Sequence, residues 1–340
     1  MDKAELERVA RAMVAKDKGI LAADESSGTI KKRFDVIRLE STEEHRRGYR
    51  EMLLTTPGIG QWISGVIFYD ETLRQKTRDG VPFAQYLERQ GVLPGIKVDM
   101  GAKALAGFPG ETITEGLDGL RERLTEYYQL GARFAKWRAV IDIADGVPSR
   151  FGIEANAHAL ARYAALCQER QIVPIVEPEV LMDGGHSIGR CEEVTNAVLA
   201  EVFHQLDLHR VYLEGMVLKP NMVIPGKKAA SQASPAEVAE ATVRTLKRHV
   251  PAAVPGIAFL SGGQSSPDAT LHLSLMNGLG PLPWNLTFSY GRALQDTALR
   301  TWGGKAANFT TGQKEFAKRA RLNSLATTGR YVAAQEAEAA

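Results

Sequence analysis

Leu213-Glu214-Gly215-Met216-Val217-Leu218-Lys219-Pro220-Asn221 carries an apolar run to a lysine and then stops it with proline. An ammonium at the end of a buried strand must be desolvated or neutralised, which costs folding free energy. Proline cannot donate to a ladder, so the strand ends there. Two other runs repeat the pattern: Lys97 in Gly95-Ile96-Lys97-Val98-Asp99 and Lys136 in Arg133-Phe134-Ala135-Lys136-Trp137-Arg138. If these strands are parallel neighbours, three lysine ends and one arginine end converge. Mutual repulsion with partial burial would then lower a lysine pKa, leaving a neutral amine able to attack a carbonyl. The plainer alternative is that each lysine is a surface residue just past its strand.

Short apolar runs recur along the whole chain, at 20–24, 63–68, 95–98, 133–138, 172–177, 212–219, 257–261 and 286–289. Their starts are about 30–45 residues apart, the length of a βα unit. Helical patterns fill several gaps. Leu117, Leu120, Leu124 and Tyr127 or Tyr128 form a stripe over 115–130 that Gly131 can cap. Ser234-Pro235-Ala236-Glu237 reads as a capping serine, a proline in the first turn and a capping-box glutamate. These signals predict an α/β fold, a single (β/α)8 TIM barrel over residues 1–330, with its reacting groups at the C-terminal strand ends. Phe134, Lys136 and Arg138 share one face of their strand, as a barrel requires. An N-terminal helical extension is expected from the Leu6, Val9, Ala10, Met13 stripe, and a flexible, alanine-rich tail from 331–340. A doubly wound open sheet is the competing architecture. It would bring a glycine-rich phosphate turn after the first strand, and Ala23-Asp24-Glu25-Ser26-Ser27-Gly28 is a poor one.

Composition narrows the function. The 340 residues carry 42 basic and 40 acidic side chains, a formal charge of +2, so no nucleic-acid partner is expected and any anion site must be local. No apolar stretch approaches the length of a membrane span, and the charged N-terminus does not read as a targeting signal. Cys167 and Cys191 lack a C-x-x-C spacing and are expected to be reduced in a cytoplasmic protein. None of the seven histidines pairs at a metal-site spacing, so no metal and no cofactor are expected.

The polar residues at the expected strand ends are Asp24, Lys97, Lys136, Arg138, Glu177, Glu179, Lys219, Ser261 and Ser289. Amines beside carboxylates suit Schiff-base catalysis, in which attack, loss of water and hydrolysis each need a proton transfer. Asp24 could alternatively cap a helix. Of the two glutamates flanking Pro178, Glu177 is expected to be the buried one because it closes an apolar run. Leu260-Ser261-Gly262-Gly263-Gln264-Ser265 and Phe288-Ser289-Tyr290-Gly291-Arg292 follow the last two strands, where barrels often grip a phosphate; Arg292 could add a charged fork.

With these motifs in place the chain resembles the class I, metal-independent fructose-bisphosphate aldolases from about residue 19 to 330. The resemblance rests on Gly19–Ser26, Gly95–Asp99, Phe134–Arg138, Val173–Glu179, Tyr212–Gly215, Leu218–Met222, Phe259–Ser265 and Leu286–Arg292. It implies reversible cleavage of fructose 1,6-bisphosphate by a barrel enzyme, usually a homotetramer. It makes Lys219 the Schiff-base lysine, Glu177 the acid/base for dehydration, and Asp24 the carboxylate for the 4-hydroxyl proton. Lys136 and Arg138 become charge-stabilising partners, while Glu179 is counted among the catalytic carboxylates from its strand-end position alone. The Ser261–Gly262 and Gly291–Arg292 segments fall to the 1-phosphate, with Gly263 and Ser289 of the same strand-end segments expected to bind substrate beside them, and Ser26, Thr29, Arg33 and Lys97 fall to the other phosphate. Two departures stand out: Thr29 replaces a common serine, and the sequence ends in alanine where many animal and plant relatives have tyrosine. Two other expectations remain open: a related Schiff-base ketose-phosphate aldolase or transaldolase-like enzyme, and a non-catalytic phosphosugar-binding scaffold.

Overall fold

A computed structural model describes residues 1–337. Eight parallel strands close into a barrel: β1 Gly19–Ala23, β2 Ile63–Phe68, β3 Leu93–Lys97, β4 Phe134–Ile141, β5 Val173–Val180, β6 Val217–Leu218, β7 Gly256–Phe259 and β8 Asn285–Tyr290. Each strand lies beside its neighbours in sequence, and β1 closes the ring on β8 through Ile20 opposite Ser289. All eight expected strands are present, and the open-sheet alternative is excluded.

Three strands differ from the sequence reading by three residues or more at one end: β4 runs on from 138 to Ile141, and β5 and β6 depart as follows. β5 runs through Pro178 to Val180, paired with β4 from Phe134–Val173 to Ile141–Val180. Val173 and Leu181 donate their N–H groups to β4, at Arg133 O and Ile141 O, whereas Val180 N turns the other way to Asn221 Oδ1. Pro174 and Pro178 share that second parity. Their missing donors therefore face β6, where little ladder exists to lose. β6 itself is only two residues long, because Leu213–Gly215 curl into a 3-10 turn. Lys219 N nonetheless continues the ladder, donating to Val176 O at 2.8 Å. A hairpin that the sequence did not announce, Ala102–Ala104 with Thr112–Thr114, props the end of β4: Thr114 Oγ1 donates to Arg138 O and Thr112 Oγ1 to Val140 O.

The barrel interior has an apolar floor. Ile20, Ala22, Ile67, Phe134, Val173, Ile175, Val217 and Ala258 pack on Leu6, Val9, Ala10, Met13 and Val14, so the expected N-terminal helix, Lys3–Met13, plugs the lower mouth. Strand side chains alternate, so a residue two positions further on points inward again, one layer higher. From the floor that step leads to Asp24 just after β1, Lys136 and then Arg138 on β4, Glu177 and then Glu179 on β5, and Lys219 after β6. The ionisable groups thus ride above a dry base.

The helix expected over 115–130 spans Leu120–Gln129, with Tyr127 buried and Tyr128 exposed. The capping box forms at Ser234 and Glu237. Residues 331–337, expected to belong to a free tail, are fastened in place. Tyr331 is buried and its hydroxyl donates to Glu336 Oε1 at 2.7 Å. Arg319 forks onto the same carboxylate at 2.8 and 2.5 Å, and Lys318 Nζ donates to Glu336 O. The Glu336 charge draws those cations from the helix Phe309–Ala326, which a reading of local composition could not see. Residues 338–340 of that expected tail lie outside the described residues.

Candidate active site

A cavity of about 710 Å³ opens at the C-terminal end of the barrel. All sixteen residues expected from the sequence line it: Lys219, Glu177, Asp24, Lys136, Glu179, Ser26, Thr29, Arg33, Lys97, Arg138, Ser261, Gly262, Gly263, Ser289, Gly291 and Arg292. The barrel brings them together because strand ends distant in sequence meet around one ring.

Its centre is a chain of alternating charge. Lys219 Nζ lies 3.1 Å from Glu177 Oε1, and Glu177 Oε2 lies 3.4 Å from Lys136 Nζ. Lys136 reaches Asp24 Oδ2 at 2.8 Å and Asp99 Oδ2 at 3.8 Å. Asp99 Oδ1 in turn holds Lys97 Nζ at 2.8 Å. Lys219, Glu177 and Lys136 are all buried. Asp24 does not cap the helix that follows; Ser26 holds that position. Glu179, also buried, pairs with Arg138.

The sequence led us to expect repulsion among converging lysines and a depressed lysine pKa. At Lys136 the structure reverses this. Burial alone would depress the ammonium, but Asp24, Glu177 and Asp99 surround it and hold it well above its ordinary range. The same pairing works in the other direction on Asp24. Burial would raise that carboxyl, yet Lys136, Lys219 and Lys97 pull it far below the usual carboxylate range. Arg138 likewise resists its burial and stays charged through Glu179. Three carboxylates alternate with three ammoniums at the centre, so neutralisation prevails over repulsion.

Two lobes flank this centre. On one side Ser261–Gly263, Ser289, Gly291 and Arg292 present hydroxyls, turn backbone and a guanidinium, with Gly291 opening the helix Arg292–Trp302. Ser289 Oγ is buried with no hydrogen-bond partner among the described residues, as expected of a donor reserved for a bound group. Gln264 braces the turn, donating to Ser261 O at 2.8 Å while its carbonyl meets His272 Nδ1 at 2.6 Å. On the other side stand Ser26, Thr29, Lys32, Arg33 and Lys97. Arg33 is aligned by Glu25, which also pairs with fully buried Arg50 at 2.5 Å and accepts from Gln295 Nε2 at 3.1 Å. This arrangement can bind an anion at each end of a polar chain and work on the atoms between.

Sequence reasoning missed Asp99, Glu25, Arg50 and Gln295. Asp99 sat inside a quoted motif two residues beyond Lys97, so strand alternation would have placed it on the same face. Arg50 and Gln295 lie on helices and gave no local signal. Among the described residues no cluster of three or more His, Cys, Asp or Glu is placed to hold a metal, and no helix is long and apolar enough to cross a membrane.

Fold and site together define a barrel lyase of the lysine–carboxylate kind. The comparisons name the family. The model of the class-I fructose-bisphosphate aldolases matches residues 5–340. A probable class 1 fructose-bisphosphate aldolase of Xanthomonas campestris pv. campestris is 58% identical over 328 residues, 96% of this chain and 98% of that protein. The cytosolic fructose-bisphosphate aldolase 4 of Arabidopsis thaliana is 56% identical over 315 residues, 92% of this chain and 80% of its own length. The solved structure of the Plasmodium falciparum aldolase, in complex with TRAP and a small-molecule inhibitor, superposes with a TM-score of 0.96 at 51% identity, covering 97% and 95% of the two chains. The chain belongs to the class-I fructose-bisphosphate aldolase family.

Proposed function

We propose that this chain cleaves fructose 1,6-bisphosphate reversibly to dihydroxyacetone phosphate and glyceraldehyde 3-phosphate through an imine on Lys219. The observation that carries this reading is Lys219 itself: a buried strand-end amine 3.1 Å from a buried carboxylate, inside a cavity with anion-binding groups on both sides.

Glu177 takes a proton from Lys219, and the freed lone pair attacks the ketone carbon of the open-chain sugar. Glu177 then returns a proton to the carbinolamine hydroxyl, water leaves, and an iminium forms as the electron sink. Asp24 removes the 4-hydroxyl proton. The C3–C4 bonding pair moves into the iminium, which becomes an enamine, and the aldehyde departs. Lys136, 2.8 Å from Asp24, stabilises negative charge on the oxygen during this step. Protonation of the enamine at C3 and hydrolysis of the imine release the second triose phosphate and restore Lys219. The Ser261–Gly263 turn, Ser289, Gly291 and Arg292 hold the 1-phosphate. Ser26, Thr29, Arg33 and Lys97 hold the 6-phosphate, and Arg138 with Glu179 lines the path between. By family resemblance the assembly is a cytoplasmic homotetramer, which light scattering on a sizing column would check.

The test is covalent trapping. Borohydride added with dihydroxyacetone phosphate should leave a reduced adduct on the peptide containing Lys219, and Lys219→Met should abolish it. An adduct on Lys136 or Lys97, or activity that vanishes in chelator and returns with zinc, would overturn the mechanism. Equal turnover of fructose 1-phosphate would point instead to a broader ketose-phosphate aldolase, and no turnover of either to a non-catalytic sugar-phosphate binder.

A further inference from the structure

The Ser261–Gly263 turn is approached by a cation that the sequence did not single out. Gly263 is left-handed (φ 75°), and the space its Cβ would occupy lies 2.8 Å from Lys227 Nζ and 3.2 Å from Arg292 Nη2. Two positive heads therefore stand over one bare stretch of backbone. Like charges gathered over turn N–H groups repel unless an anion joins them. Arg292 has no carboxylate partner among the described residues. Lys227 is held by one contact, Nζ to Asp183 Oδ1 at 2.7 Å, between side chains that are 44% and 62% exposed. Exposed pairs of this kind are weak and readily exchanged.

The lysine's backbone, by contrast, is anchored. Lys227 N donates to Met182 O at 2.7 Å and Lys228 N to Gly184 O at 3.0 Å. Gly226 is packed so tightly that a Cβ would meet Gly184 O at 2.1 Å. A flexible stem thus springs from a fixed point, with Asp183 on one side and the phosphate turn on the other.

We propose that Lys227 is a further substrate ligand, which leaves Asp183 for the phosphate held at the Ser261–Gly263 turn and Arg292. The inference rests on the aldolase reading and adds a specificity determinant to it: a cation for a dianionic phosphate on the ketone side of the substrate. Asp183 keeps the ammonium in place when the turn is empty and competes with substrate for it.

The experiment compares Lys227→Met, Lys227→Arg, Asp183→Asn and Lys228→Met, the last altering net charge identically beside the site. Wild-type cleavage of fructose 1,6-bisphosphate is the control on the aldolase reading itself; its absence sinks that reading, whatever the variants do. With wild-type turnover in hand, Lys227→Met should raise KM about five- to tenfold, with kcat within twofold, and weaken competitive inhibition by inorganic phosphate to match. Lys227→Arg should restore most of the loss, Lys228→Met should stay within twofold, and Asp183→Asn should leave KM unchanged or lower it. If Lys227 merely latches its loop, Asp183→Asn will raise KM as Lys227→Met does, and that overturns the inference. So does a Lys227→Met shift below about threefold, or an equal shift from Lys228→Met.

Discussion

Lys136 joins the two halves of the proposed chemistry, since it touches both the carboxylate beside Lys219 and Asp24, the carboxylate proposed to take the 4-hydroxyl proton. Replacing Glu177 with glutamine keeps the shape and removes the proposed proton carrier, a role worth ~10²–10⁴-fold in turnover. We expect a loss in that range with KM little changed. Glu179→Gln should cost less, because its observed task is to hold Arg138; the opposite ranking in steady-state assays would exchange the two roles. Asp24 gives a prediction on pH. Its folded carboxyl is pulled down chiefly against burial by Lys136, while in the unfolded chain it titrates near ~3.9. The folded state then binds fewer protons, so this stabilisation is complete above the unfolded value and fades as pH falls below it. Urea midpoints should show an Asp24→Asn deficit that is largest near neutrality and shrinks below about pH 4. A deficit constant down to the acid limit would count against the Lys136 pair as its source. Residues such as Lys219, Glu177 and Lys136 were legible because an ionisable group after an apolar run violates local pattern. Arg50 and Gln295 were not, since a charged or amide side chain on a helix looks ordinary until another element packs on it.

Strand spacing made the barrel readable at the scale of elements, but not the small pieces that trim it. The Ala102–Ala104 hairpin is three residues a side, too short for any period to register, and the turn at Leu213–Gly215 is held by the distant Gln168, whose side chain donates to Tyr212 O and Gly215 O. One feature inside the strands is testable. Gly95 on β3 leaves room for the Phe134 ring, and a Cβ there would stand 2.2 Å from it. Phe134 is fully buried on the barrel floor, so the ring has nowhere to go. Gly95→Ala should destabilise by about 1–3 kcal/mol through overpacking, read as a lowered urea midpoint. It should also weaken turnover, because Lys97 rises from the same strand two residues on. Adding Phe134→Leu should recover part of the stability. Failure of the double variant to gain anything over Gly95→Ala would show that the strain lies elsewhere.

Closure is a property of the whole molecule, and it is what converts scattered strand ends into a single site. Each element alone could have belonged to an open sheet; only the pairing of β1 with β8 sets Asp24 near Lys136 and Lys219. The seven terminal described residues show the limit of composition as a guide. An alanine- and glutamate-rich segment looked unable to repay the entropy of docking, yet Glu336 finds Arg319, Lys318 and the Tyr331 hydroxyl on the outer helices. That latch bears on the truncation of residues 332–340. Arg319 and Lys318 belong to the helix Phe309–Ala326, and Ser274 of the helix Ser266–Gly278 donates to Tyr331 O; none of these residues lines the cavity. Deletion should therefore cost stability without touching chemistry. Arg319 is largely buried and would lose its bidentate carboxylate, so we expect a fall of about 1–2 kcal/mol in unfolding free energy. Turnover should change by less than about threefold, under ~0.7 kcal/mol of barrier. Glu336→Gln should reproduce most of the stability loss by itself, because it removes the charge that Arg319 and the Tyr331 hydroxyl share. The rival is a chain end that reaches over the mouth of the barrel and delivers the proton to the enamine carbon. A tenfold or larger loss of turnover on truncation, with slowed tritium exchange from dihydroxyacetone phosphate and unchanged urea midpoint, would establish that rival and remove the latch.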